Sequence, residues 1–128
     1  MLTEKDYCDY DTCVALKELG YDGYCAAYYH LFDDDEDARN SFEHIYVFDF
    51  QNSNNIYRVG APLLYQAQKW LRNTHNLHLE ITYSPSCWTG KIYDLNEWDY
   101  IKGFTFFESF EETLHTLIKE AVKILKEK

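Results

Sequence analysis

Long apolar runs are missing from this chain of 128 residues. None approaches the ~20 residues needed to span a bilayer, so no membrane-spanning segment is expected. A basic start followed by an apolar stretch is missing too. Residues 1–10 carry Glu4, Asp6 and Asp9 against one lysine, which excludes a typical secretory signal and makes the cytoplasm the expected location. Cys8, Cys13, Cys25 and Cys87 lack C-x-x-C spacing, and a core of this size needs no staples, so reduced thiols are expected rather than disulfides or zinc. No glycine-rich phosphate loop, no alternating D-x-D-x-D-G calcium loop and no nucleophile beside a base stands out. Neither cofactor nor metal is therefore expected, and a non-enzymatic role is favoured.

Clustered Lys and Arg are also lacking, which argues against direct nucleic-acid binding, since phosphate recognition requires them. The net charge is −10, and it is unevenly distributed. Residues 1–50 hold 13 acids against Lys5, Lys17 and Arg39, whereas residues 51–128 hold 9 acids and 9 bases. One part of the surface is thus expected to be strongly negative. The sharpest stretch is Asp33, Asp34, Asp35, Glu36 and Asp37, read as a solvated loop whose acidic surface can dock on a protein partner with a basic site.

What the chain has in excess is aromatic side chains: 12 Tyr, 8 Phe and 3 Trp make up 18% of it. Tyr is a good strand residue, and its buried ring with a hydroxyl handle also suits contact surfaces. The length fits one core, and no repeat or Gly/Ser-rich linker divides it, so a single domain over residues 1–128 is expected.

The element signals predict an α+β fold, a mostly antiparallel sheet of about five strands packed on two or three helices. Asp9 or Asp11 can cap a first helix that Gly20 stops. Tyr24 to Phe32 is apolar on both alternating sets, as a covered central strand would be. His44 to Phe50 reads as a strand, joined through a polar turn at Gln51 to Asn55 to a partner at Ile56 to Val59. Pro62 is placed as a first helical residue, with Leu63, Ala67, Trp70 and Leu71 on one side and His75 and Asn76 at the end. Leu77 to Tyr83 alternates cleanly and, after Ser84, Pro85 and Ser86, is expected to pair with Cys87 to Leu95. Asn96 to Gly103 reads as irregular, and Phe104 to Phe107 as a short strand. Ser109 and Glu112 form a capping box ahead of the apolar stripe Phe110, Leu114, Leu117, Ile118, Ala121, Val122 and Leu125, which predicts a long amphipathic C-terminal helix.

Two groups could carry chemistry. If the 77–95 hairpin forms, one face displays His78, Glu80 and Thr82 beside Thr89, Lys91 and Tyr93, a set capable of proton transfer in a small enzyme and equally ordinary on a solvated hairpin. Lys69, Arg72 and His75 stand three apart on the second helix, where they can bind an anion or complement the helix dipole.

The motifs A61-P62, K69-W70-L71-R72, H75-N76, W88-T89-G90-K91, G103-F104-T105-F106-F107 and S109-F110-E111-E112, with L19-G20-Y21-D22 closing the first helix, resemble a family of small uncharacterised proteins from anaerobic gut bacteria and their phages. The resemblance touches most of the chain and implies a phage or mobile-element accessory protein that binds host machinery or a signal molecule. The leading expectation is a binding module acting through an acidic, tyrosine-rich surface, with self-association as a further mode. A sponge that holds a nucleotide-like anion between copies, through Lys69, Arg72 and tyrosines, is the alternative within the binding class.

Overall fold

The computed structural model describes residues 2–31, 41–52 and 57–128. The chain divides into two compact units, Met1–Leu63 and Leu64–Lys128. The acidic run Asp33–Asp37 and the strand end Phe32 lie outside the described residues.

In the first unit a short 3-10 turn (Glu4–Asp6) precedes helix α1 (Tyr10–Glu18). The Asp9 side chain accepts the Thr12 N–H at 2.9 Å, capping α1, and Gly20 at φ 94° lets the chain turn away at its end. The predicted strand from Tyr24 is divided into β1 (Tyr24–Cys25) and β2 (Ala27–His30). Strands β3 (Phe42–His44), β4 (Phe50–Gln51) and β5 (Arg58–Gly60) complete the unit. The strand β2 lies between β3 and β5, antiparallel to both, while β1 pairs with β4.

Two expectations are corrected here. His44 to Phe50 is not one strand, because Tyr46 adopts φ 61° and the Asp49 N–H bonds back to the Val47 carbonyl at 2.9 Å, so the extended run stops after His44. Nor do these residues form a hairpin with the segment at Val59; β3 and β5 instead share β2. The core collects Cys8, Cys13, Leu16, Cys25, Ala27 and Val59. Buried Asn52 ties it together, accepting the Gly60 N–H at 2.7 Å and donating to the Tyr21 carbonyl at 3.4 Å.

Pro62 is not the first residue of the second helix. Its carbonyl accepts the Cys8 N–H at 2.9 Å and Leu63 bridges to Tyr7, so both stay outside the helix and α2 begins two residues later than expected (Leu64–His75). Asn76, at φ 57°, ends it.

The second unit continues through β6 (Leu77–Ser84), β7 (Cys87–Asp94), β8 (Asp99–Phe107) and α3 (Phe110–Lys126). The three strands form an antiparallel meander in the order β6-β7-β8. The predicted hairpin is present, with Leu77 opposite Asp94 and Ser84 opposite Cys87. Asn96 to Gly103 departs from expectation: the loop is confined to 95–98 and β8 starts at Asp99. The Asp94 carboxylate accepts the N–H groups of Asn96 (2.9 Å) and Glu97 (3.4 Å), which folds the chain back so that Lys102 lies opposite Ile92. Leu77, Leu79 and Ile92 are buried on the side taken by α2 and α3. Gly90 permits the close approach there, since a Cβ on it would meet the Leu117 side chain at 2.8–2.9 Å. Ser109 caps α3 by accepting the Glu112 N–H at 3.0 Å, and the Glu112 carboxylate accepts the Glu108 N–H at 3.2 Å.

The class is thus α+β, with three helices and, among the described residues, eight strands in three small antiparallel sheets. No helix of the described residues is long and apolar enough to cross a membrane.

Candidate functional site

The most unusual local feature of the described residues lies at the two ends of β8. Four non-glycine residues take positive φ, namely Tyr46, Asn76, Trp98 and Phe106. Asn visits this region readily, whereas a bulky ring there costs about 1 kcal/mol or more in backbone strain. The three aromatic members are also the most exposed large apolar residues among those described: Trp98 at 91%, Phe106 at 83% and Tyr46 at 83%. Trp98 closes the β7–β8 turn, and Phe106 lies where the pairing of β7 and β8 shifts register between Trp88 and Gly90. Local structure at both positions holds a ring outward in water.

Between them, β8 pairs with β7 only, among the described residues. Seven of its nine residues are exposed, all but Phe104 and Phe107. Tyr100 and Ile101 add exposed apolar surface along the strand, with Leu95 and Phe110 nearby in sequence at either end. Lys102, the strand's one cation, is drawn toward α3: its Nζ lies 2.7 Å from Glu120 Oε1 and 5.6 Å from the centre of the Phe104 ring. The outer edge therefore offers unpaired backbone and aromatic side chains, the features on which another strand can be added.

The face of the sheet away from the helices carries the predicted polar set. His78 is opposite Tyr93 and Glu80 is opposite Lys91, with Thr82 opposite Thr89. The rings of His78, Tyr93 and Tyr100 form a row across the three strands, with centres 6.4 and 5.9 Å apart. Lys91, Thr82 and Tyr100 are exposed, and His78, Glu80 and Tyr93 half-buried. The Thr82 hydroxyl donates to Glu80 at 3.4 Å. Proximity of acid, base and phenol is thus present on one face of a sheet.

Lys69, Arg72 and His75 all lie on α2 and differ in exposure. Lys69 is exposed and Arg72 half-buried, but His75 turns its ring edge-on to Trp70 at 4.7 Å, and its Nε2 is buried with no hydrogen-bond partner. Burial, followed by the nearby Lys128 charge, lowers the His75 pKa. Asp33, Asp34, Asp35, Glu36 and Asp37 lie outside the described residues.

Cys87 gave no signal in the sequence. At the start of β7 its Sγ lies 3.4 Å from the Ser84 hydroxyl. Hydrogen bonds from that hydroxyl, from the Phe106 backbone N–H and from Ser86 lower its pKa. Cys8, Cys13 and Cys25 are buried, and removal from water pushes their thiols up, Cys25 to about 12. Among the described residues no group of three or more His, Cys, Asp and Glu is placed to hold a metal ion.

No protein-family model, curated protein or solved structure matches the chain.

Proposed function

We propose that the chain is a non-enzymatic interaction module that receives an extended partner segment along the outer edge of β8, with Trp98 and Phe106 as apolar contacts at its two ends. One observation carries this reading: two aromatic rings at the ends of a strand whose outer edge has no partner among the described residues are held outward by unfavourable backbone conformations. Strain and solvent exposure both work against such an arrangement in the free chain. Covering a Trp or Phe ring regains roughly 1.5–3 kcal/mol each, and an added strand satisfies the edge N–H and C=O groups.

The acidic first half contributes at longer range. Residues 1–63 carry 13 acids against Lys5, Lys17, Arg39 and Arg58, a net −9, which favours approach of a basic protein and disfavours nucleic acid. The run Asp33–Asp37 belongs to this field. The sequence resemblance to small proteins of gut bacteria and their phages supports a cytoplasmic accessory role in a phage or mobile-element setting.

Selection from a displayed library of ten-residue peptides tests the reading. Enriched peptides are expected to raise and blue-shift Trp98 emission, and to lose at least tenfold in affinity when Trp98 and Phe106 are both replaced by Ala. Peptides that bind the double variant equally well would place the docking site elsewhere.

A further inference from the structure

Resting on the reading of β8 as a docking edge, we propose that its occupant is β8 of a second copy of this chain, running antiparallel about a two-fold axis through Gly103. The strand is close to a palindrome in the properties that pairing requires. Asp99–Phe107 has nine residues and Gly103 is the fifth, so rotation about Gly103 pairs the strand over its full length.

Pairing partners in an antiparallel sheet must lie on the same face, and the register with β7 fixes those faces. Asp99, Lys102, Phe104 and Phe107 lie opposite Asp94, Ile92, Gly90 and Trp88 on the helix side, whereas Tyr100 and Gly103 lie opposite Tyr93 and Lys91 on the other. The proposed axis sets Lys102 opposite Phe104 of the second copy, Asp99 opposite its Phe107 and Gly103 opposite its Gly103, each on a matching face. An axis through Lys102 would instead set two ammonium groups opposite each other and place Tyr100 opposite Phe104, on the wrong face. A register centred between two residues pairs Lys102 with Gly103, again crossing faces.

The side chains suit the same axis. Tyr100 faces Phe106 of the second copy, an aromatic cross-strand pair of the kind that stabilises sheets. No like charges face each other, and Lys102 arrives among rings. Gly103 at the axis lets the backbones approach where opposed Cα atoms can come within roughly 4.5 Å, and the space above it is already taken, since a Cβ there would come within 2.5 Å of Tyr100 Oη.

The irregularities of β8 obey the axis too. Extra residues relative to β7 occur between Tyr100 and Lys102 and between Phe104 and Phe107. A bulge on one side of an edge normally turns it away from partners; here the axis relates Ile101 to Thr105, which lies within the second irregularity, so the two irregular stretches face each other. Charge does not oppose the contact locally, because residues 64–128 hold 8 bases and 9 acids, a net −1. An edge whose pattern reads the same in both directions recognises itself better than an unrelated strand, and two-fold dimers are the commonest protein assemblies.

Sedimentation over a concentration series tests the proposal, with an expected mass of twice the 15.3 kDa of one chain. Tyr100→Asp combined with Phe106→Asp is expected to return the protein to the single-chain mass with an unchanged far-UV spectrum, since both side chains point into water. A second measurement does not depend on that variant. In a Cys87→Ser background, an oxidised mixture of Ile101→Cys and Thr105→Cys copies should give more cross-linked dimer than either copy alone. A single-chain mass at every concentration with no preferential cross-link would overturn the proposal, as would a dimer indifferent to the Asp pair. If such a single chain still binds selected strand peptides through Trp98 and Phe106, self-pairing fails and the docking edge stands; if no peptide binds either, both fail.

Discussion

Cys8, Cys13 and Cys25 are enclosed in the first unit, whereas Cys87 has a hydroxyl and a backbone N–H directed at its sulfur. Only a thiolate attacks an electrophile, so this contrast predicts one fast-reacting thiol per native chain and four after denaturation. Titration with a maleimide should show it, with the fast phase lost in Cys87→Ser and its rate rising at lower pH than for free cysteine. His75 provides a second residue-scale expectation. Its folded pKa lies below the ordinary 6.5, so the unfolded chain binds the proton more readily. The stability gained by keeping the ring neutral is then complete above pH 6.5 and is lost as pH falls through the folded value. Urea midpoints should therefore fall more steeply below pH 6.5 for the native protein than for His75→Gln. Neither environment is readable from the sequence: helical spacing sets His75 three residues after Arg72 but does not reveal that its ring meets Trp70.

At the scale of elements, the C-terminal helix and the 77–94 hairpin were legible because their signals are local: a cap at Ser109, a 3.6-residue stripe, and strict alternation from Leu77 to Tyr83 ahead of the turn residues Ser84, Pro85 and Ser86. Of β8 only Phe104 to Phe107 was legible. Asp99 and Gly103 are poor strand formers by propensity, and pairing with β7 is what makes the segment before Phe104 extended, so tertiary context outweighs local preference. Tyr46 misled in the other direction, since a residue with strong strand preference sits at φ 61° and ends the strand. The exposed aromatic edge was hidden for the same reason: sequence pattern assigns aromatic rings to an interior, and the exposure of Trp98 and Phe106 follows from turn and bulge geometry. The Tyr surplus was the one available hint of a contact surface. Element packing also yields a prediction. With Leu117 already where a Cβ on residue 90 would sit, Gly90→Val should cost roughly 1–3 kcal/mol through overpacking of α3 on β7, read as a lower urea midpoint without change in slope.

For the whole molecule, the uneven charge matters most. Each copy carries −10, nearly all of it in the first unit, so two copies repel at long range even though the strands proposed to join them are nearly neutral. Salt shortens this repulsion to a reach of ~10 Å at 0.1 M. Dimerisation through β8 should therefore strengthen as salt rises, the opposite of an interface held by ion pairs. Sedimentation at low and moderate ionic strength distinguishes the two.

The placement of β2 between β3 and β5 also bears on how the chain is born. The middle strand of that sheet leaves the ribosome first, yet its neighbours are supplied by residues 42–44 and 58–60, so one of its edges stays open until some thirty further residues have been made. The meander that follows needs no such delay, because each of its strands finds its neighbour in the segment just synthesised. The half of the protein made last is therefore the half whose strands find their neighbours soonest after synthesis.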